Sequence, residues 1–198
     1  MDLVRVYRIP FSTNVERVAL AAGHKSVEIE WIDVDPEDRS PVEEVSGQRL
    51  VPVLVAGDEV VADSPAILDW LEERFPDQPL YPHDPARRAE VRVFVDWFNR
   101  VWKRPPNAIA EHGHDDAQAA EMAAAIDLFE ALLADREYLF GDFGMADCIA
   151  FPFLKYAAFG LTDGDDDPFH RVLVDYQPLS PDSPVRAWSL RVDAHPRS

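Results

Sequence analysis

Four groups of residues in this chain have the types and spacing that chemistry uses. The first follows a short apolar run: Tyr7, then Pro10-Phe11-Ser12-Thr13, with three hydroxyl groups close to where a helix must begin. Thr13-Asn14-Val15-Glu16 has the form of a capping box, in which the Thr13 hydroxyl bonds the backbone N–H of Glu16. That leaves Ser12 at the mouth of a helix N-terminus, where the dipole favours an anion, a thiolate included. The second is Val51-Pro52, which by itself reads as an ordinary trans proline at a strand edge. The third is Asp63-Ser64-Pro65, an acid and a hydroxyl where another helix opens; Ser at the N-cap and Pro at the first helical position are both favoured there. The fourth, His112-Gly113-His114, puts two imidazoles in an acidic loop without a third ligand, which reads as a loop and not as a metal centre. Cys148 is the single cysteine, so no disulfide, Cys-x-x-Cys pair or zinc cluster can be built from it. No Gly-rich phosphate loop and no Gly-x-Ser-x-Gly elbow occurs.

The elements that carry these residues are legible from hydrophobic periodicity. Leu3–Tyr7 reads as a strand. Val15, Val18, Ala19 and Ala22 share one helical face, and Gly23 sits at that helix's end. Val27–Val34 reads as a second strand, and Pro36–Ser46 as a polar stretch with a short helix. Val51–Val55, the turn Ala56–Glu59 and Val60-Val61 make a hairpin. Ile67, Leu68, Leu71 and Phe75 form the buried stripe of the next helix, which Pro76 stops. The order is β-α-β-(α)-β-β-α. Asp77–Pro85 holds three prolines and no periodicity. Beyond it the pattern is helical. Val91, Phe94, Val95, Phe98, Val101 and Trp102 form a long stripe ended by Pro105-Pro106. Met122, Ile126, Phe129 and Leu133 form another. A helix near Gly144 carries Ile149, Phe153 and Ala157 around Pro152, and two shorter ones follow, Pro168–Tyr176 and the segment bearing Val185, Trp188 and Val192. Asp163–Asp167 reads as an acidic turn.

Composition narrows the function. The chain has 198 residues, 47% of them hydrophobic, enough for a buried core. Its formal net charge of −18 argues against nucleic acid or an anionic membrane as a partner, since phosphate binding needs a basic footprint. Its longest run without Asp, Glu, Lys or Arg, Leu50–Gly57, is far short of the roughly 20 apolar residues of a membrane span. Arg5 and Arg8 interrupt any signal-peptide pattern, so a cytoplasmic location is expected.

Taken in order, Pro10-Phe11-Ser12-Thr13, Leu50-Val51-Pro52-Val53-Leu54, Asp63-Ser64, Leu71-Glu72-Glu73-Arg74-Phe75-Pro76, Gly144-Met145-Ala146-Asp147 and Trp188 with Arg191–Pro196 resemble the cytosolic glutathione S-transferase superfamily over residues 3–196. The resemblance implies the glutathione S-transferase fold: an α/β thioredoxin-like N-terminal domain over 1–77, a linker over 78–84 and an all-α C-terminal domain over 85–198. It implies a homodimer, glutathione as co-substrate, no metal, and a small hydrophobic electrophile attacked by the glutathione thiol. On this resemblance the Val51-Pro52 bond is cis and its backbone pairs with the peptide backbone of glutathione. Asp63 takes the ammonium and Ser64 the carboxylate of the γ-glutamyl end, and Arg49 stands near the glycyl carboxylate. Ser12 falls at the cysteine position of one class, Pro10 at the serine or cysteine position of several others, and Tyr7 within a residue of the tyrosine used elsewhere. Ser12 is therefore the hydroxyl expected to bond the ligand sulfur, with Tyr7 as the alternative. Phe11, Trp102 and Asn107 are expected to line the electrophile pocket. Gly144 stands where a capping motif of the superfamily usually has Ser or Thr, leaving Asp147 to accept the cap N–H, which is a folding feature. The alternative is a non-catalytic member with a binding or regulatory role, favoured by Pro10 at a usual catalytic position.

Overall fold

The computed structural model describes residues 3–198. The chain forms two compact units, one of residues up to Leu80 together with His195–Ser198, the other of Tyr81–Ala194. The first is built in the order β1 (Val4–Arg8), α1 (Thr13–His24), β2 (Ile29–Asp33), α2 (Ser40–Ser46), β3 (Val53–Ala56), β4 (Glu59–Ala62) and α3 (Ser64–Arg74). Its sheet has the order β2-β1-β3-β4, with β1 and β2 parallel and the remaining pairs antiparallel. Strand alternation sends Val4 and Val6 into the core, while Tyr7 on the opposite face packs against Val34, Val42 and Val53. One row of the register runs Tyr7, Val53, Ala62 across three neighbouring strands. The segments just beyond that row are Ile9–Ser12, Val51-Pro52 and Asp63-Ser64, so the topology delivers all three to one end of the sheet.

Helices α1 and α3 pack together. Lys25, just past the end of α1, is buried. Its ammonium lies 2.6 Å from the Glu72 carboxylate and donates to the carbonyls of Phe75 (2.8 Å) and Gln78 (3.3 Å). The last four residues close on α1 and β2. The Ser198 N–H donates to the Ala19 carbonyl, Ile29 N–H donates to Ser198 Oγ, Trp31 Nε1 donates to the Ser198 carbonyl, and Arg197 pairs with Glu16. β2 is an edge strand, so this tail occupies backbone that would otherwise invite another strand. Gly23 lies within α1 and not beyond its end, and a Cβ there would sit 2.1 Å from the Pro196 carbonyl oxygen. Its role is close approach.

The second unit contains α4 (Pro85–Trp97), a π-helical turn (Phe98–Trp102), α5 (Arg104–His112), α6 (Asp116–Leu133), α7 (Met145–Phe159), α8 (Pro168–Asp175) and α9 (Pro184–Asp193). Among the described residues it has no strand, only an isolated bridge between Tyr138 and Gly141. Pro105-Pro106 does not end the helical run, as the sequence led us to expect. Both prolines lie in the first turn of α5, where a missing N–H costs nothing. Phe94, Phe98, Trp102, Phe129 and Phe153 form an aromatic core, with Phe98 stacked on Trp102 at 4.3 Å. Cys148 is buried in α7. The acidic turn is not wholly solvated. Asp165 is buried and bonded to Tyr156 (2.9 Å) and His170 (2.8 Å). Burial pushes its carboxyl up, but these partners outweigh burial and hold it below the usual range.

Asp147 is the polar centre of this unit. One carboxylate oxygen accepts the cap N–H of Gly144 (3.0 Å); the other accepts Leu139 N–H (3.1 Å) and Trp188 Nε1–H (2.7 Å). Burial nevertheless pushes its pKa up from 3.8 to about 6. A carboxyl raised by folding contributes its full stability below its unfolded value near pH 4, and that share is lost as the pH rises through about 6. Unfolding measured from pH 4 to 7 is expected to show wild type losing about 2 kcal/mol relative to Asp147→Asn, whose side chain does not titrate. A separate expectation concerns the tail. Gly23→Ala should displace Pro196, change Trp31 fluorescence and lower stability by about 1–3 kcal/mol in urea titrations.

Candidate functional site

The site begins where β1 gives way to α1. Phe11, exposed, has φ of 58° and Ser12 an extended φ of −61°, which together turn the chain into the helix. Ser12 is the N-cap: its Oγ accepts the N–H of Val15 (3.4 Å) and its carbonyl that of Glu16 (3.0 Å). The Thr13–Glu16 capping box is therefore not formed. Thr13 is already helical and buried, because the helix starts one residue earlier than that box requires, and Glu16 turns to Arg197. Ser12 uses a lone pair on the cap, and a hydroxyl in that role retains its proton for donation. Tyr7 is packed against the Val34, Val42 and Val53 cluster.

The Val51-Pro52 peptide bond is cis, immediately before β3. Asp63 has φ of 76° and ψ of 131°, a conformation that a residue with a Cβ rarely adopts. Asp63, not Ser64, is the N-cap of α3, and its exposed carboxylate makes no cap bond. Ser64 is the first helical residue and fully buried, its hydroxyl turned toward α1. It donates to Asn14 Oδ1 (3.3 Å) and accepts from Arg17 Nη1 (3.3 Å). The mouths of α1 and α3 are thus one hydrogen bond apart. Each presents backbone N–H groups of a first turn, an arrangement suited to an anion.

The remaining expected residues are dispersed. Arg49 is exposed and paired with Glu43 at 3.0 Å, a surface pair worth little and readily exchanged. Trp102 is buried and lines a cavity of about 290 Å³ in the second unit with Trp97, Val101, Pro105, Met122 and Leu128. Asn107 is exposed on α5 and does not line that cavity. His114 is bonded to Tyr176 (2.9 Å) and Asp116 (3.0 Å), and among the described residues no three His, Cys, Asp or Glu side chains gather as metal ligands. Asn14 and Arg17 escaped the sequence reading. An arginine between Val15 and Val18 reads as a solvated residue, and the hydroxyl it serves lies 47 positions away.

Known proteins resemble this chain in sequence and architecture. A family model of the glutathione S-transferase N-terminal domain matches residues 6–79, and one of the C-terminal domain matches residues 84–191. Glutathione S-transferase U22 of Arabidopsis thaliana is 28% identical over 137 residues, 66% of this chain but only 63% of that protein. Maleylacetoacetate isomerase of Pseudomonas aeruginosa is 33% identical over 174 residues, 80% of this chain and 81% of that protein. Among solved structures, a Tau class glutathione S-transferase from mango has a TM-score of 0.77 over 98% of this chain and 90% of that one, a likeness of fold at 20% identity.

The backbone at Asp63 yields a test of what this corner is for. A positive-φ residue with a Cβ costs on the order of 1–3 kcal/mol, and glycine relieves that cost against roughly 0.5–1 kcal/mol of added chain entropy. Asp63→Gly is therefore expected to raise unfolding stability by about 1 kcal/mol in thermal or urea titrations, since the carboxylate makes no cap bond that would be lost.

Proposed function

Since this chain belongs to the glutathione S-transferase superfamily, we propose that its first unit binds glutathione and activates the thiol for attack on a small hydrophobic electrophile. The observation that carries this reading is the convergence beyond the Tyr7, Val53, Ala62 row. Three loops, each bearing an expected ligand group, leave the sheet at one end. Val51 offers its backbone to the cysteinyl residue of the ligand. Asp63 offers its exposed carboxylate to the γ-glutamyl ammonium, and the first turn of α3 at Ser64 faces the γ-glutamyl carboxylate. Arg49 can exchange Glu43 for the glycyl carboxylate.

Ser12 is the residue we assign to the sulfur. Its hydroxyl proton and the α1 dipole both favour a thiolate over a thiol, and one added donor lowers a thiol pKa by about one to two units. In the second unit Trp102 lines an apolar cavity of a kind that suits a small hydrophobic molecule. Among the described residues no helix is long and apolar enough to cross a membrane.

A second reading, a non-catalytic binding protein of the same fold, is favoured by the cap bond that engages Ser12 Oγ and by Pro10 at a usual catalytic position. Calorimetric titration with glutathione, beside cysteine as a comparison thiol, separates ligand binding from its absence. The pH dependence of conjugation with a generic aryl halide separates the two readings. Ser12→Ala is expected to raise the apparent thiol pKa by one to two units and to slow conjugation about tenfold at neutral pH. Glutathione binding without conjugation in wild type supports the non-catalytic reading. An unchanged rate and pKa in the variant removes Ser12 from the chemistry and leaves Tyr7 as the residue to test.

A further inference from the structure

The cavity of about 290 Å³ in the second unit has two indoles on one wall, Trp97 and Trp102. These residues are five positions apart. In an α-helix, residues at that spacing point about 140° away from each other. Here the π-helical turn Phe98–Trp102 lies between them, closed by the Lys103 N–H on the Phe98 carbonyl at 3.1 Å. A π turn bonds i to i+5, so it brings Trp102 round to the side of Trp97. Such turns are rare and recur at functional sites, and the product of this one is a pair of indoles facing one space. On the other side, Glu121, Ala124, Ala125 and Leu128 follow i, i+3, i+4, i+7 and form one face of α6. The two alanines leave the space open.

Glu121 is the one charged side chain lining this cavity. It is exposed, and among the described residues its carboxylate has no cation and no hydrogen-bond donor. A carboxylate beside two indoles is a place for positive charge: the ring faces attract a cation, and the carboxylate accepts its N–H groups. The formal net charge of −18 acts in the same direction, gathering small cations at the surface and turning anions away. The volume lies at the small end of ligand cavities and admits one ring with a short arm. We propose that this cavity binds a small hydrophobic ammonium, an amine carried on an aromatic ring by a short alkyl arm. The ammonium pairs with Glu121, and the ring sits between the indoles and the alanine face of α6. The amine is a ligand and undergoes no covalent step. The proposal does not depend on the glutathione reading, because every residue it uses lies in the second unit.

The test is calorimetric titration at neutral pH with 2-phenylethylamine and with 2-phenylethanol, its uncharged counterpart. Wild type is expected to bind the amine saturably, with a shift in tryptophan emission, and about tenfold or more tighter than the alcohol. Glu121→Gln should weaken the amine about tenfold while the alcohol stays within about twofold, so most of the preference disappears. Ala125→Leu, which fills the cavity, should weaken both compounds about tenfold or more. Glu28→Gln removes the same charge from an exposed position in the first unit and should change neither affinity. The proposal is overturned if wild type shows no saturable amine binding, if amine and alcohol bind alike, or if Glu28→Gln acts as Glu121→Gln does. Val101 and Leu128, 46% and 42% exposed at the cavity, give it an apolar rim that a second copy of the chain could cover. Sedimentation of the same samples tests this: self-association that Ala125→Leu disrupts, with no amine bound, makes the occupant a second copy and overturns the proposal. Failure to bind glutathione overturns only the thiol reading.

Discussion

Two buried cations fix how α1 lies on α3, and the geometry of the first unit follows from that pairing. At one end Lys25 is held by Glu72 and by the carbonyls of Phe75 and Gln78; at the other, Arg17 reaches Ser64. The apolar residues between them, Val18 on α1 with Ile67, Leu68 and Leu71 on α3, are fully buried and supply most of the attraction. Apolar contact tolerates sliding and rotation; charges removed from water do not. A buried ion that loses its partners costs several kcal/mol. Both sets of bonds tie the two helices in the observed register. That register puts Ser12, at the mouth of α1, and Asp63, at the mouth of α3, on the same side of the unit.

The helical unit solves a similar problem with the opposite charge. Asp147 gathers N–H groups from Gly144, Leu139 and Trp188, so the start of α7, the loop before it and α9 are bound to one carboxylate. The aromatic core around Phe98 and Trp102 fills volume, but rings packed edge to face leave several arrangements close in energy. Three directed bonds to a buried acid leave far fewer. In each unit a polar group inside the core selects among the packings that apolar burial would allow.

Much of this was legible in the sequence, and what was not has identifiable causes. The strands and long helices follow apolar periodicity, which survives one-residue errors at element ends. Helix caps do not survive such errors. Ser12 and Thr13 both carry hydroxyls suited to a cap, and a shift of one position exchanged their roles. The same shift moved Ser64 from cap to first helical residue, with Asp63 at the cap instead. The prolines at 105 and 106 carry the same composition signal whether they close one helix or open the next. Arg17 and Asn14 were invisible because their partner is distant in the chain, and the docking of His195–Ser198 because four residues carry no period. The cis bond before Pro52 was expected only through family resemblance, since its local sequence reads as an ordinary strand edge.

Of the four non-glycine residues with positive φ among those described, Phe11 and Asp63 stand at the mouths of α1 and α3, while Ser26 and Gln78 follow the far ends of the same two helices. Each such residue costs on the order of 1–3 kcal/mol and persists only where its surroundings over-determine it. Here the surroundings are the α1–α3 register and the Asn14–Ser64–Arg17 bonds, which hold the loops in place from below. The consequence for binding is energetic. A loop already held in an unfavourable conformation loses little further freedom when a ligand arrives, so less of the gross interaction is spent on ordering. Donors fixed before the ligand's charge appears also need no reorganisation to meet it. The strain at the two mouths and the buried cation beneath them are parts of one arrangement, and on the glutathione reading proposed above that arrangement prepares the corner for its ligand.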